Sequence, residues 1–334
     1  MSILTEENVI SGPVDNPSAG DNQPRGYFLG VDGGGTSTRA VILDSSAATC
    51  GQGHAEAANY HRVGLASAIR AINAATAEAC QKAGVRPDQI NSACIGLAGV
   101  GHPDHHQTML TGLRAAFPIQ EIQLETDARV ALAGATGNRP GVVIIAGTGS
   151  IACGINARGQ FERAGGWGPV MGDEGSGTYI GKRALEKVME AYDGRGGRTK
   201  LTAAILRHYD VSSAAELPAI IYKDETSSLR EAARLSRVVV DAAEDGSLTA
   251  RQILARAAAE LARGAIAVIE KLGMQNENFR VATVGGVFES GEWVAQPLRK
   301  AIAAIAPLAV VSSPLYPPVI GAAQMAMAAY QQKA

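Results

Sequence analysis

Two small clusters of glycine and hydroxyl residues are the first candidates for chemistry. Gly33, Gly34 and Gly35 are followed by Thr36, Ser37 and Thr38, and Gly147, Thr148, Gly149 and Ser150 repeat the theme later in the chain. Glycine takes positive φ and lets backbone approach a ligand closely, and exposed N–H groups beside hydroxyls suit phosphate oxygens. A single cluster of this kind is also common turn chemistry. Each one, however, sits between two apolar strand-like runs: residues 27–31 and 39–43 around the first, 141–146 and 151–156 around the second. The repetition favours two hairpins whose tips clamp a polyphosphate from both sides. A strand follows the glycines rather than a helix, and Gly-Lys-Thr/Ser is missing, so neither the dinucleotide fingerprint nor the P-loop applies.

Carboxylates come next. Asp127 separates a strand-like run, residues 121–125, from a helix-like run, residues 128–135. Asp in that place is commonly a helix N-cap, yet a carboxylate at the C-terminal edge of a strand also faces the cleft where α/β proteins bind ligands, as a general base would. Asp173 and Glu174 follow Gly165, Gly166, Gly168 and Gly172, with Trp167 among the glycines. A loop so rich in glycine is costly to order, and the sequence predicts that it closes over something. One of its carboxylates is expected to cap the following helix, and Trp167 has the alternative of plain hydrophobic filling. Asn59 offers an amide that donates and accepts, as a sugar hydroxyl or acetamido group requires. His61, His102, His105 and His106 fit no zinc spacing and read as solvated loop residues.

The elements that must position these residues alternate. After the first hairpin come a third strand (49–57), a loop (58–64), a helix (65–83), a strand (92–98), a small-residue turn (99–101), a helix (105–116) and the strand before Asp127. Such alternation indicates a layered α/β protein. Beyond the second hairpin, helical spacing marks residues 174–192, 201–208, 229–244 and 248–272, the last with Leu254, Ala258, Leu261, Ala265, Val268 and Leu272 along one face. A strand (280–284) ending at Gly285 and Gly286, a helix (293–304), a short strand (309–312) and a helix (318–330) close the chain.

With 334 residues, two domains are expected, and 46% hydrophobic against 19% charged residues gives ample core. A net charge of −2 recommends neither nucleic acid nor an anionic membrane as partner, so a small soluble ligand is the better reading. Cys50, Cys80, Cys94 and Cys153 stand singly, which suits reduced thiols in a cytoplasmic protein. Residues 1–25 carry no signal-peptide or membrane-span pattern and read as a mobile tail.

Taken together, the Asp32–Thr36 hairpin, Thr126-Asp127-Ala128, the Gly147–Ser150 turn, the Gly165–Gly168 and Gly172–Ser176 loop and Gly285-Gly286 resemble the N-acetylglucosamine kinases. Those enzymes have the BadF/BadG/BcrA/BcrD-type ATPase fold, within the sugar kinase, heat-shock ATPase and actin superfamily. The resemblance spans residues 26–330 in the family's order, and the segments at Arg195–Thr199, Met274–Asn276 and Gly285–Val287 are similar to bacterial kinases that accept both N-acetylmuramic acid and N-acetylglucosamine. It implies an α/β fold of two ribonuclease-H-like lobes closing over a cleft. The N-terminal lobe would comprise residues 26–136 plus 316–334, and the C-terminal lobe residues 137–315.

By the same resemblance, Asp127 would take the proton from the sugar 6-hydroxyl as it attacks the γ-phosphate of ATP. Asn59, Gly99, Gly166, Trp167 and Asp173 would hold the amino sugar. Gly34, Gly35, Thr36, Thr148 and Gly149 would meet the phosphates, while Ala233, Gly285 and Gly286 would wall the adenosine. Asp32 would act on Mg²⁺. No lysine is evidently supplied to the phosphates, which leaves that task to the metal and backbone amides. The expected partners are a small amino sugar and a second copy of the chain in a homodimer. Two other readings share the hairpins: an ATPase that activates a 2-hydroxyacyl-CoA dehydratase or benzoyl-CoA reductase, which needs cysteines near the second hairpin for an iron–sulfur cluster, and a sugar or nucleotide sensor without a catalytic base.

Overall fold

The structure, a computed structural model, describes residues 26–223 and 225–333, with the backbone alone for 225–228. The tail expected over residues 1–25 lies outside the described residues. The chain forms β1 (Tyr27–Gly33), β2 (Ser37–Asp44), β3 (Thr49–Glu56), α1 (Tyr60–Val63), α2 (Leu65–Ala83), β4 (Ile90–Leu97), α3 (Pro103–Ala116), β5 (Glu121–Thr126) and α4 (Asp127–Thr136). It continues with β6 (Gly141–Ala146), β7 (Ser150–Ile155), β8 (Phe161–Gly165), α5 (Gly177–Tyr192), α6 (Lys200–Tyr209), α7 (Leu217–Ile221), α8 (Glu225–Glu244) and α9 (Leu248–Leu272). β9 (Arg280–Val284), α10 (Glu292–Ile305), β10 (Val310–Ser312) and α11 (Pro318–Gln331) complete it.

These strands build two five-stranded sheets, ordered β3-β2-β1-β4-β5 and β10-β9-β6-β7-β8. In each, three consecutive strands pair antiparallel and two later strands add in parallel beside the first of the three. The two lobes therefore repeat one topology, with β6 and β7 occupying the place of β1 and β2. Each glycine cluster falls at the tip of the first hairpin of its own sheet.

Burial follows from the sequence patterns. The apolar stripe of α9 is wholly inside, packed on the second sheet together with α5, α8 and α10. α2 and α3 cover one face of the first sheet. α11 returns from the end of the second sheet to pack on β1, β4 and β2. α4 lies between the sheets: Ala128, Leu132 and Ala135 pack against Val143, Cys153 and Ala282 of the second sheet, while Val130 packs with Phe28 and Cys94 of the first and with Ala322 and Ala326 of α11. α5 and α8 approach so closely that a Cβ at Gly181 would sit 1.7 Å from the carbonyl oxygen of Ala232, a separation only glycine permits.

Three local expectations are corrected. A short helix, α1, stands within the expected loop 58–64, started by Asn59, whose Oδ1 accepts from the His61 N–H at 3.0 Å. β8 was not expected, because Phe161-Glu162-Arg163-Ala164-Gly165 lacks an apolar alternation; it is an edge strand exposed along much of its length. The helix expected from residue 174 begins at Gly177, and Ser176 rather than a carboxylate caps it, accepting from the Tyr179 N–H at 3.1 Å.

Candidate functional site

β1 and β5 both belong to the first sheet, and Asp32 near the end of β1 and Asp127 just after β5 open onto one cleft of about 710 Å³. Its walls also include Gly99 from the turn after β4, Gly149 and Ser150 from the second hairpin tip, and Arg163, Gly166, Gly168 and Asp173 from β8 and the loop that follows. Of the residues singled out in the sequence, Asp32, Asp127, Gly99, Gly149, Gly166 and Asp173 are thus brought together.

Asp127 is not the N-cap of α4. Thr126 fills that role, its Oγ1 accepting from the Arg129 N–H at 3.3 Å. Asp127 occupies the first turn, where its Oδ1 accepts from the Ala128 N–H at 2.9 Å. Burial raises its carboxyl above the ordinary value, against the pull of the backbone N–H groups. Burial also pushes Asp32 up, to about 6, with the charge of Asp127 adding to the rise and Arg39 opposing it. The two carboxylates are therefore close enough to disfavour simultaneous ionisation.

Asp173 lies in the left-handed region at φ 63°, unusual for a residue with a Cβ. Its Oδ1 accepts from the Ser150 N–H at 3.1 Å, and the Ser150 hydroxyl donates to the Glu174 carbonyl at 2.8 Å, which ties the glycine-rich loop to the second hairpin. Burial raises the Asp173 carboxyl, and the bond from Ser150 counters that. Trp167 is 57% exposed; its ring lies 4.3 Å beneath the Arg163 guanidinium, while its neighbours Gly166 and Gly168 line the cleft. Val170 and Met171, further along the same loop, are 95% and 75% exposed.

The hairpin tips are braced rather than loose. The Gly34 carbonyl accepts from the N–H groups of Ala58 and Asn59 at 3.2 and 3.1 Å, and the Arg62 guanidinium donates to the Gly35 carbonyl at 2.6 Å. Asn59 also lies beside the cleft wall, since a side chain on Gly99 would meet His61 and Asn59. Thr36 is exposed at its tip. At the second tip, Gly177 and Thr178 donate to the carbonyls of Gly147 and Thr148 at 2.8 and 3.4 Å, so the start of α5 supports it. Gly285, at φ 108°, presses against the Ala146 carbonyl, where a Cβ would lie 2.4 Å away. Next to it, Ala233, Arg234, Ser236, Arg237 and Gly286 line a second cavity of about 360 Å³, which joins two of the residues expected around adenosine.

Sequence reasoning missed Arg163 and Phe161, because β8 itself was not legible, and Arg62, because nothing in its neighbours marks it as a partner of Gly35. It also read the histidines as solvated loop residues. His61 and His102 are exposed in keeping with that reading, whereas His105 and His106 are half-buried on α3: His61 and His105 meet edge to face with centroids 4.7 Å apart, His102 and Tyr60 contact His105, and His106 Nε2 lies 2.9 Å from the Leu124 carbonyl. Among the described residues no group of three His, Cys, Asp or Glu side chains is arranged to hold a metal ion, and no helix is long and apolar enough to cross a membrane.

Comparison with known proteins agrees with this layout. The N-acetylmuramic acid/N-acetylglucosamine kinase of Clostridium acetobutylicum is 33% identical over 274 residues, covering 82% of this chain and 89% of that protein. The N-acetyl-D-glucosamine kinase of Dictyostelium discoideum is 33% identical over 310 residues, covering 90% and 97%. A crystal structure from Chromobacterium violaceum, described as that of a candidate N-acetylglucosamine kinase, superposes with a TM-score of 0.70 at 28% identity over 90% of this chain and 98% of that one. The profile of the BadF/BadG/BcrA/BcrD ATPase family matches residues 29–326. With two sheets of one topology, a braced glycine tip on each, and a match across nearly the whole described chain, the protein belongs to the BadF/BadG/BcrA/BcrD ATPase family.

Proposed function

We propose that this protein is an ATP-dependent amino-sugar kinase that phosphorylates the 6-hydroxyl of an N-acetylated amino sugar, N-acetylglucosamine or N-acetylmuramic acid. The observation that carries the reading is Asp127: a carboxylate released from capping duty by Thr126 and open to a cleft that a glycine tip also lines. Its full-length amino-sugar kinase relatives support the substrate class.

In this reading Asp127 accepts the proton of the 6-hydroxyl while the hydroxyl oxygen attacks the γ-phosphorus. Asp173, held by Ser150, and Asn59, beside Gly99, orient the sugar; Gly166 and the Trp167 loop cover it. Gly34, Gly35, Thr36, Thr148 and Gly149 present backbone N–H and hydroxyl groups to the phosphates. Ala233, Gly285 and Gly286 form the adenosine wall. Magnesium fits the site, since Asp32 and Asp127 place two mutually repelling carboxylates at one cleft and a nucleotide's phosphates complete the oxygen ligands that this metal prefers. Asp32 would hold it, and its charge would offset that of the phosphates.

The dehydratase-activator reading needs a thiolate free to bind a cluster. Cys153, the cysteine near the second hairpin, is fully buried, lies 3.5 Å from the Ala128 carbonyl and has its thiol pushed up to about 12 by burial. That environment favours an inert thiol. The test is coupled-assay turnover with ATP on N-acetylglucosamine, N-acetylmuramate and glucosamine. Asp127→Asn is expected to lower kcat by about 10²- to 10⁴-fold with sugar affinity kept within severalfold. Undiminished turnover in that variant would assign the proton to another group.

A further inference from the structure

Arg163 is opposite Cys153 in the β7–β8 register, on the sheet face turned toward α4, because Cys153 packs against Ala128. Its guanidinium lies over the Trp167 ring and on the wall of the cleft that holds Asp127, Asp173 and Gly99. Stacking uses the flat face of a guanidinium and leaves its edge, with the N–H fork, available. Arg183, Arg195, Arg234, Arg263 and Arg299 each pair with a carboxylate. Among the described residues, Arg163 forms no such pair. The first hairpin tip already has its own guanidinium in Arg62, bonded to Gly35, so the phosphate end does not call for a second. What remains is an exposed cation over Trp167 on the wall of the cleft where Asp127 and Asp173 present negative charge to an incoming anion.

We infer that Arg163 reads the charge of the acceptor sugar, pairing through its fork with a carboxylate carried as a substituent on the sugar ring. This rests on the amino-sugar kinase reading above and adds the residue that ranks acceptors: acidic before neutral, and neutral before one with a free ammonium group. Bidentate guanidinium–carboxylate geometry makes lysine an incomplete substitute.

The experiment compares kcat/KM of the full-length wild type, Arg163→Gln and Arg163→Lys for N-acetylmuramate, N-acetylglucosamine and glucosamine at saturating ATP, with circular dichroism to confirm folding. In Arg163→Gln, kcat/KM for N-acetylmuramate relative to N-acetylglucosamine is expected to fall about ten- to hundredfold, chiefly through KM. The value for glucosamine relative to N-acetylglucosamine should rise, and Arg163→Lys should fall between. Unchanged ratios overturn the inference. So does an equal loss on all three sugars with a raised KM for ATP, which would place Arg163 on the phosphates. Turnover of N-acetylglucosamine by the wild type with none of N-acetylmuramate removes this inference alone, whereas no turnover of any of the three removes the kinase reading beneath it as well.

Discussion

Asp32, the carboxylate proposed to hold magnesium, works against stability. Its folded value of about 6 lies above the ordinary 3.8, so the native state holds this proton more tightly than the unfolded chain does. The stability this group contributes is complete below about pH 4 and lost as pH rises to 6, leaving a buried charge beside Asp127 at neutral pH. Replacing it with a neutral amide removes that charge. Asp32→Asn is therefore expected to stabilise the nucleotide-free protein by roughly 2 to 3 kcal/mol above pH 7, with the gain fading toward pH 4. Thermal unfolding followed from pH 4 to pH 8 without nucleotide or metal checks this; equal Tm values at pH 8 would mean that the two carboxylates do not strain the fold. Phosphate transfer should vanish in the same variant, separating the stability role from the chemical one.

At the scale of elements, the hairpins were legible because their signal is local and was written twice: apolar run, small-residue turn, apolar run. The buried stripe of α9 was legible for a similar reason, its period showing directly in the side chains. β8 was not, since an edge strand exposed on much of its surface needs no apolar alternation, and with it went Arg163. Nor could the sequence show that Thr126 caps α4 in place of its neighbour, because Thr and Asp compete for such positions on nearly equal terms. Asp173 at positive φ depends on its distant bond to Ser150, which no local pattern records. The crossing of α5 and α8 is equally non-local, and it positions Ala233, proposed for the adenosine wall. Gly181→Ala would force Ala232, and Ala233 after it, away from Gly177. We expect a loss of about 1–3 kcal/mol in denaturant unfolding and an increase in KM for ATP well beyond any change for the sugar; a sugar-specific defect would contradict the placement of Ala233.

For the whole molecule, we propose lobe boundaries at residues 26–136 with 316–334, and 137–315, supported by the return of α11 to β1, β4 and β2. A lobe pair of this kind is expected to close when both substrates bind, shielding the γ-phosphate from water. Small-angle scattering should show a smaller radius of gyration with the sugar and a non-hydrolysable ATP analogue than without them; an unchanged radius would argue for a cleft already shut. The exposed Val170 and Met171 give that motion a local readout, since closure should lessen their accessibility to labelling.

Because Ala128, Leu132 and Ala135 pack on one sheet while Val130 packs on the other side, α4 would serve as the axle in the closure expected above. A group mounted at the end of an axle travels little, while the glycine fingertips at the rim sweep the longer arc. In the proposed mechanism Asp127 would thus stay aligned with its alcohol through every stroke, and phosphate delivery would become the event that opening and shutting control.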